Sequence, residues 1–345
     1  MNAMKPALDL PMTTSPASQT DAEAGDNSRI LALVKAVLAL GLAVLLPVAL
    51  DDYYLYLASQ VAIYAIATLG LDIVFGRTGQ LSLSHATFFG LGAYASALMA
   101  DWGWSIWLQV PLIVLLAILA GAVVAVPTLR LSGLRLSLVT LLFGELFIWA
   151  INHSADMTGG SQGMAVPPLE IGNFSSVTPL HGYILAVTVA AIATLVVIQI
   201  SRSQIGRRML AVRDSELAAT SVGIHIVKTK ITAFIMSAVF AGIAGCLYAY
   251  TSGFVSPTMF DLFGSVNFLV AVILGGAGRS IGAWLGAAYI ILVPEAFTAL
   301  GYTNLFPLLG GFVLIVITLL LPGGLTEGFT RAFALLRPER RRNVS

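Results

Sequence analysis

Ten apolar runs divide this sequence, and threading them through a bilayer leaves all 18 lysines and arginines on one side. The runs are Ile30–Leu50, Tyr53–Phe75, Leu81–Ala100, Trp104–Val126, Leu136–Ile151, Tyr183–Ile200, Ile231–Thr251, Leu262–Ala277, Ile281–Leu300 and Leu305–Leu321. A helix crossing the hydrocarbon needs about 20 residues, so the shorter runs borrow interfacial residues. With the N-terminus inside, the inner segments carry Lys5, Arg29 and Lys35, then Arg77, then Arg130 and Arg135. The next inner segment holds Arg202, Arg207, Arg208, Arg213, Lys228 and Lys230, followed by Arg279 and the tail residues Arg331, Arg337, Arg340, Arg341 and Arg342. Outer loops hold the acids Asp51, Asp52, Asp101, Asp156, Glu170 and Asp261. Basic residues in short loops set orientation during insertion, and dropping one span would throw every later basic cluster outside. The expected fold is therefore an all-α polytopic membrane protein of about ten transmembrane helices, with both termini in the cytoplasm.

Composition agrees. At 58% hydrophobic and 10% charged residues, the chain has too little polar surface to cover a water-soluble globule of its length. The net charge of +1 looks neutral only because the two signs are sorted to opposite faces, so nucleic-acid binding is not expected. The single cysteine, Cys246, lies inside an apolar run, and the four histidines are scattered without metal-ligand spacing, so no disulfide, metal or cofactor is expected. Residues 1–29, rich in Ser, Thr, Pro and Asp, read as a disordered cytoplasmic tail. Residues 30–322 form the membrane domain and 323–345 a basic cytoplasmic tail. The first apolar run is long, preceded by acids and without a small-residue cleavage site, so it is expected to stay in the protein.

Two connections are long. Outside, residues 152–182 are rich in Gly and Pro and are expected to carry a small cap or a surface helix. Inside, within residues 201–230, Asp214–Gly223 reads as a discrete short helix. Asp214 is the expected N-cap, and Gly223 suits the left-handed position after the last turn. Gly76–Gly92 and Ser256–Gly264 look like interruptions at roughly corresponding points of the two halves. They are either the broken helices of an inverted-repeat transporter or two ordinary interfacial turns. Glycines inside the runs, such as Gly92, Gly242, Gly245, Gly282 and Gly286, imply close helix packing, because lipid gives no hydrophobic drive for pairing.

Charges at membrane depth cost about 2.5–3.5 kcal/mol each and usually face protein or water. Glu145 lies ten residues beyond Arg135, about 15 Å along a helix, near the midplane. It is either a contact in a translocation path or a structural tie between helices. Asp72, five residues before Arg77 and near the cytoplasmic boundary, reads either as a local pair or as a side chain snorkelling to the interface, and Glu295 as interfacial. Gln80, Ser82, Ser84, His85 and Asn267 join Glu145 as candidate path residues. GGAGRSIG (Gly275–Gly282) lacks the lysine spacing of a phosphate-binding loop and follows a membrane run, so nucleotide binding is not expected there.

Several blocks carry a resemblance. GLDIVFGRTGQLSLSHATFFGLGAYASA (Gly70–Ala97) resembles the signature of permease subunits of branched-chain amino acid ABC importers, the LivM-like class. RDSELAATSVGIHIVKTK (Arg213–Lys230) is similar to the loop by which those subunits dock on their ATPases, with Glu216, Ala218, Ala219 and Gly223 matching its E-x-A-A-x-x-x-G core. Ala233–Tyr250 and Val270–Gly286 follow the same pattern, and the similarity covers about residues 50–322.

The resemblance implies a transport subunit, not an enzyme, in a bacterial inner membrane. Its partners would be a second, homologous permease, two cytoplasmic ATPases and an extracytoplasmic solute-binding protein. Asp214, Glu216, Ala218, Ala219 and Gly223 would form the ATPase-coupling element, with Glu216 pairing a basic residue of the ATPase. Branched-chain or related amino acids are the expected solutes. Urea, amides or other small organic solutes are the alternative within the family, and an ion-coupled secondary transporter is the alternative outside it.

Overall fold

The computed structural model describes residues 51–302 except 130, 132, 173 and 177, and a few more between 311 and 328. The runs expected at Ile30–Leu50 and, for the most part, Leu305–Leu321 lie outside the described residues, as do the N-terminal tail and all of the C-terminal tail beyond residue 328.

Eleven helices are described. α1 (Asp52–Leu71) continues as a π-helical turn over Asp72–Gly76, and α2 is His85–Asp101. α3 (Ile106–Ala125), α4 (Leu134–His153) and the single-turn α5 (Ala155–Thr158) follow. Then come α6 (Pro179–Arg202), α7 (Gln204–Asp214), α8 (Glu216–Ser221) and α9 (Ile226–Ser252). α10 (Leu262–Gly275) and α11 (Ser280–Ala299) complete the described bundle.

The all-α expectation holds apart from four two-residue strands. β1 (Met164–Ala165) pairs antiparallel with β4 (Phe254–Val255), and β2 (Glu170–Ile171) pairs with β3 (Phe174–Ser175). Three of the four belong to the long loop after α4, where the expected cap is therefore a pair of minimal sheets.

Seven helices among the described residues are long and apolar enough to cross a membrane, so the count of ten is not confirmed. The run expected at Leu81–Ala100 is replaced by a helix of 17 residues, α2, because residues 79–84 are not helical. Gly79, at φ +69°, ends the preceding helical stretch, since that left-handed turn is open mainly to glycine.

α9 is the central helix, packed against α1, α2 and α3. Its approach to α2 is set by glycine: a Cβ at Gly92 would collide with the Gly242 carbonyl, and one at Gly245 with the Phe89 carbonyl. α10 and α11 meet the same way at Gly286 against Ala271. In lipid such backbone contact supplies the packing that burial cannot. Aromatic rings fill the space left between α1, α2, α9 and α10. Tyr64 stacks on Phe268 at 5.3 Å between centroids, and Phe89 lies 5.4 Å from Tyr248.

The basic loops converge at one end of the bundle. Asp72 Oδ2 lies 3.4 Å from Arg77 Nε, giving the local pair expected there, while Asp72 Oδ1 accepts from the Gly278 backbone N at 2.5 Å. Arg213 donates to the Gly76 carbonyl. At the end of α2 away from this cluster, Trp102, Trp104 and Trp107 are exposed, as interfacial indoles are.

Candidate translocation cleft and docking helix

The extended segment 79–84 runs through the interior, where its peptide groups have no water to bond. Side-chain hydroxyls serve instead. Leu83 N donates to Thr140 Oγ1 at 2.9 Å, and Ser137 Oγ donates to the Leu81 carbonyl at 3.3 Å. Ala86 N, in the opening turn of α2, donates to Ser265 Oγ at 3.1 Å. Since Ser265 lies in the opening turn of α10, the two interrupted helices touch at their N-terminal ends. α10 starts after a 3₁₀ turn at Pro257–Met259, and Asp261 caps it by accepting from Gly264 N at 2.9 Å.

A cleft lies at this meeting point, lined by Thr87, Gly144, Glu145, Phe260, Asp261 and Ser265 among others. It is closed too tightly to hold a water molecule. Thr87 Oγ1 is buried there without a hydrogen-bond partner among the described residues. The candidate cleft thus brings together two carboxylates, one of them the Asp261 helix cap, a hydroxyl without a partner among the described residues and the start of a helix.

The candidate path residues are not gathered in one place. Glu145 lines the cleft and is exposed on the outside of the bundle, and Asn267 is exposed on α10. His85 is buried with both ring nitrogens engaged, Nε2 at 2.7 Å from the Ala67 carbonyl and Nδ1 at 3.3 Å from Ser237 Oγ. The hydroxyls of Ser82 and Ser84, 3.1 Å apart, are buried within the extended segment. Gln80 belongs to a separate cavity at the basic end. Thr87 and Asp261 line the candidate cleft without having been picked out as path residues by the sequence. Thr87 follows the polar stretch Gln80–His85 as one hydroxyl in an otherwise apolar run, whereas the Asp after Pro257 is visible only as a loop acid.

At the basic end, α8 stands out from the bundle, and its capping corrects the sequence reading. Asp214 is the last residue of α7, and the N-cap of α8 is Ser215, whose Oγ accepts from Ala218 N at 3.3 Å. The reason is conformational: α7 continues through Asp214, so Ser215, at φ −163° and ψ 118°, is the first residue extended enough to cap. Gly223, at φ +81°, takes the left-handed position expected of it. Glu216 pairs within its own chain, Oε1 lying 2.8 Å from Lys230 Nζ.

Ala219 faces inward, whereas Leu217 and Val222 are 85% and 74% exposed. Sequence reasoning misses these two outward apolar residues as well, because Leu217 in the first turn and Val222 at the C-cap do not share a helical face that periodicity would flag. No cluster of three His, Cys, Asp or Glu suited to a metal occurs among the described residues.

Comparison with known proteins fits this arrangement. Residues 53–319 match the family described as branched-chain amino acid transport system, permease component. The chain is 32% identical to the high-affinity branched-chain amino acid transport system permease protein LivM of Escherichia coli K12, over 85% of this chain and 75% of that protein. It is 26% identical to LivH of the same organism, over 80% of this chain and 97% of that one. With the autoinducer 2 import system permease protein LsrC of Enterobacter sp. 638, identity is 28%, over 88% and 90% of the two chains. No solved structure matches at a significant level. The match across the whole described bundle shows that the chain belongs to the permease-component family of branched-chain amino acid transport systems.

Proposed function

We propose that this chain is a transmembrane subunit of an ATP-driven importer for branched-chain or related amino acids in a bacterial inner membrane. It pairs with a second, homologous permease, receives solute from an extracytoplasmic binding protein, and is driven by two cytoplasmic ATPases. Both termini and the basic end of the bundle face the cytoplasm, in line with the sorting of basic residues.

The observation that carries this reading is α8. A six-residue helix, capped at both ends and tied back to the bundle by Glu216, presents Leu217 and Val222 to the outside. Apolar side chains held out on a rigid turn at the cytoplasmic face fit a groove on a partner better than they fit water. Residues 201–230 are then the coupling loop. Ala219 seats the helix, Ala218 lies on its outer side, and Asp214 closes the preceding helix.

The path runs along the face bearing Glu145 and Asn267, shared with the second permease. An exposed carboxylate at membrane depth would otherwise meet lipid at a cost of about 2.5–3.5 kcal/mol. Ser82, Ser84 and His85 hold the extended segment that lets α2 begin at depth, and Gln80 stands at its cytoplasmic mouth.

The test is reconstitution. The permease pair, its ATPases and its binding protein in liposomes should take up labelled L-leucine only with ATP and binding protein present. Uptake by this chain alone, without ATP, would overturn the proposal. A second reading, a permease for another small organic solute, is favoured by the similarity to LsrC, a protein named for autoinducer 2 import. Competition among candidate solutes for the binding protein separates the two.

A further inference from the structure

Beneath α8 lies a cavity of about 260 Å³. The interrupted segment forms one wall through Gln80, α4 contributes Leu136, and the α7–α8 corner supplies Val212, Arg213, Asp214 and Glu216, with Lys230 of α9 closing the far side. Gln80 is only 6% exposed, yet neither its amide nitrogen nor its amide oxygen has a hydrogen-bond partner among the described residues. The other buried glutamines are engaged. Gln60 Nε2 donates to Ser252 Oγ at 3.4 Å, and Gln109 both donates to the Trp104 carbonyl at 2.7 Å and accepts from Tyr250 at 2.6 Å. An orphaned buried amide requires a partner that the chain does not supply.

We infer that this cavity binds a free α-amino acid arriving from the cytoplasmic side. Three features define the ligand. A primary amide donates from nitrogen and accepts at oxygen, so Gln80 can meet a carboxylate and an ammonium held on one carbon. The charged residues balance, Arg213 and Lys230 against Asp214 and Glu216, which disfavours a phosphate or a simple cation and suits a zwitterion. Leu136 and Val212, 1% and 3% exposed, give an apolar floor for an aliphatic side chain. The volume, just under the roughly 300–1,000 Å³ of drug-sized pockets, fits a ligand of amino-acid size.

Glu216 belongs both to this cavity and to the docking helix. A bound amino acid therefore braces α8 in one position, and solute accumulated in the cytoplasm slows the importer that delivered it. Resting on the orientation and solute class proposed above, this adds to the transport cycle a second solute site, distinct from the Glu145 cleft.

The experiment uses the assembled permease–ATPase complex without its binding protein. Equilibrium dialysis with labelled L-leucine is expected to show saturable binding. 4-Methylpentanoate and isoamylamine, which each lack one charged head, are expected to bind about tenfold or more weakly, as is leucine to a Gln80→Leu complex. Gln80→Glu, which keeps the shape but loses the donor, should weaken binding similarly and serves if the leucine variant does not assemble. In liposomes, leucine on the ATPase side should inhibit uptake, at higher concentration in the variants, each scaled to its own uptake without that leucine. A complex that imports leucine but binds none this way, or binds it equally after both substitutions, overturns the inference and leaves water as the occupant. A complex that binds leucine through Gln80 yet imports no amino acid supports the site and sinks the proposed function instead.

Discussion

Ser265 Oγ accepts a hydrogen bond from the backbone N of Ala86 at 3.1 Å, joining the starts of α10 and α2 across 179 residues of sequence. Thr140 does the same for Leu83 N at 2.9 Å. Both bonds satisfy peptide groups that lipid and packed side chains cannot. Thr140→Ala should lower stability by about 1–3 kcal/mol, the cost of orphaning a buried donor, while Thr140→Ser should retain most of it. Thermal unfolding in detergent measures the difference, and equal melting of both variants would show that the hydroxyl does not hold the segment.

The Lys230–Glu216 pair joins a buried ammonium to a half-exposed carboxylate. Glu216→Lys places two cations together at the root of α8 and should dissociate ATP hydrolysis from uptake while leaving membrane insertion intact. Exchanging both residues, Glu216→Lys with Lys230→Glu, should recover part of the coupling. Uptake per ATP hydrolysed, compared across the three proteins, is the readout. Unchanged uptake in the single variant would remove Glu216 from the docking element.

Gly223 turns the chain at φ +81° with no atom within 4 Å of where a Cβ would sit. Only backbone strain then opposes substitution. Gly223→Val should cost about 1–3 kcal/mol locally and loosen α8 without disturbing the bundle. Proteolysis at residues 214–225 should quicken while the global melting temperature stays near wild type.

Gly245 abuts the Phe89 carbonyl, and Gly92 the Gly242 carbonyl, along the α2–α9 contact. Gly245→Leu forces the helices apart and should lower the melting temperature markedly, since overpacking costs about 1–3 kcal/mol or more where backbone cannot yield. Gly311, where a Cβ would meet no atom of the described residues within 4 Å, is the matched control.

Glu145 is exposed on the bundle yet lines the cleft. Glu145→Gln should reduce uptake several-fold with little change in melting temperature if the carboxylate faces solute. Wild-type uptake with a lowered melting temperature would assign it to helix pairing instead.

The long apolar helices among the described residues, their order and the short helix before Gly223 were legible in the sequence because apolar length, glycine and capping residues act locally. The start of α2 was not: its run of Leu81–Ala100 is apolar enough for a helix from the outset. The extended conformation before His85 depends on hydroxyls of Ser137 and Thr140, more than 50 residues away. Capping of α8 by Ser215 and not Asp214 turned on where α7 happened to stop, which both residue types permit equally.

Charge sorting and hydrophobic length thus determined a membrane bundle, since transfer of each segment into lipid depends on its own side chains alone, while the family was carried by the blocks Gly70–Ala97 and Arg213–Lys230. Which polar groups found partners was decided only when distant segments packed. Glu216 found Lys230, Asp72 found Gly278, and Gln80 found nothing among the described residues, because a hydrogen bond needs two atoms within about 3 Å and no local rule of sequence sets that distance.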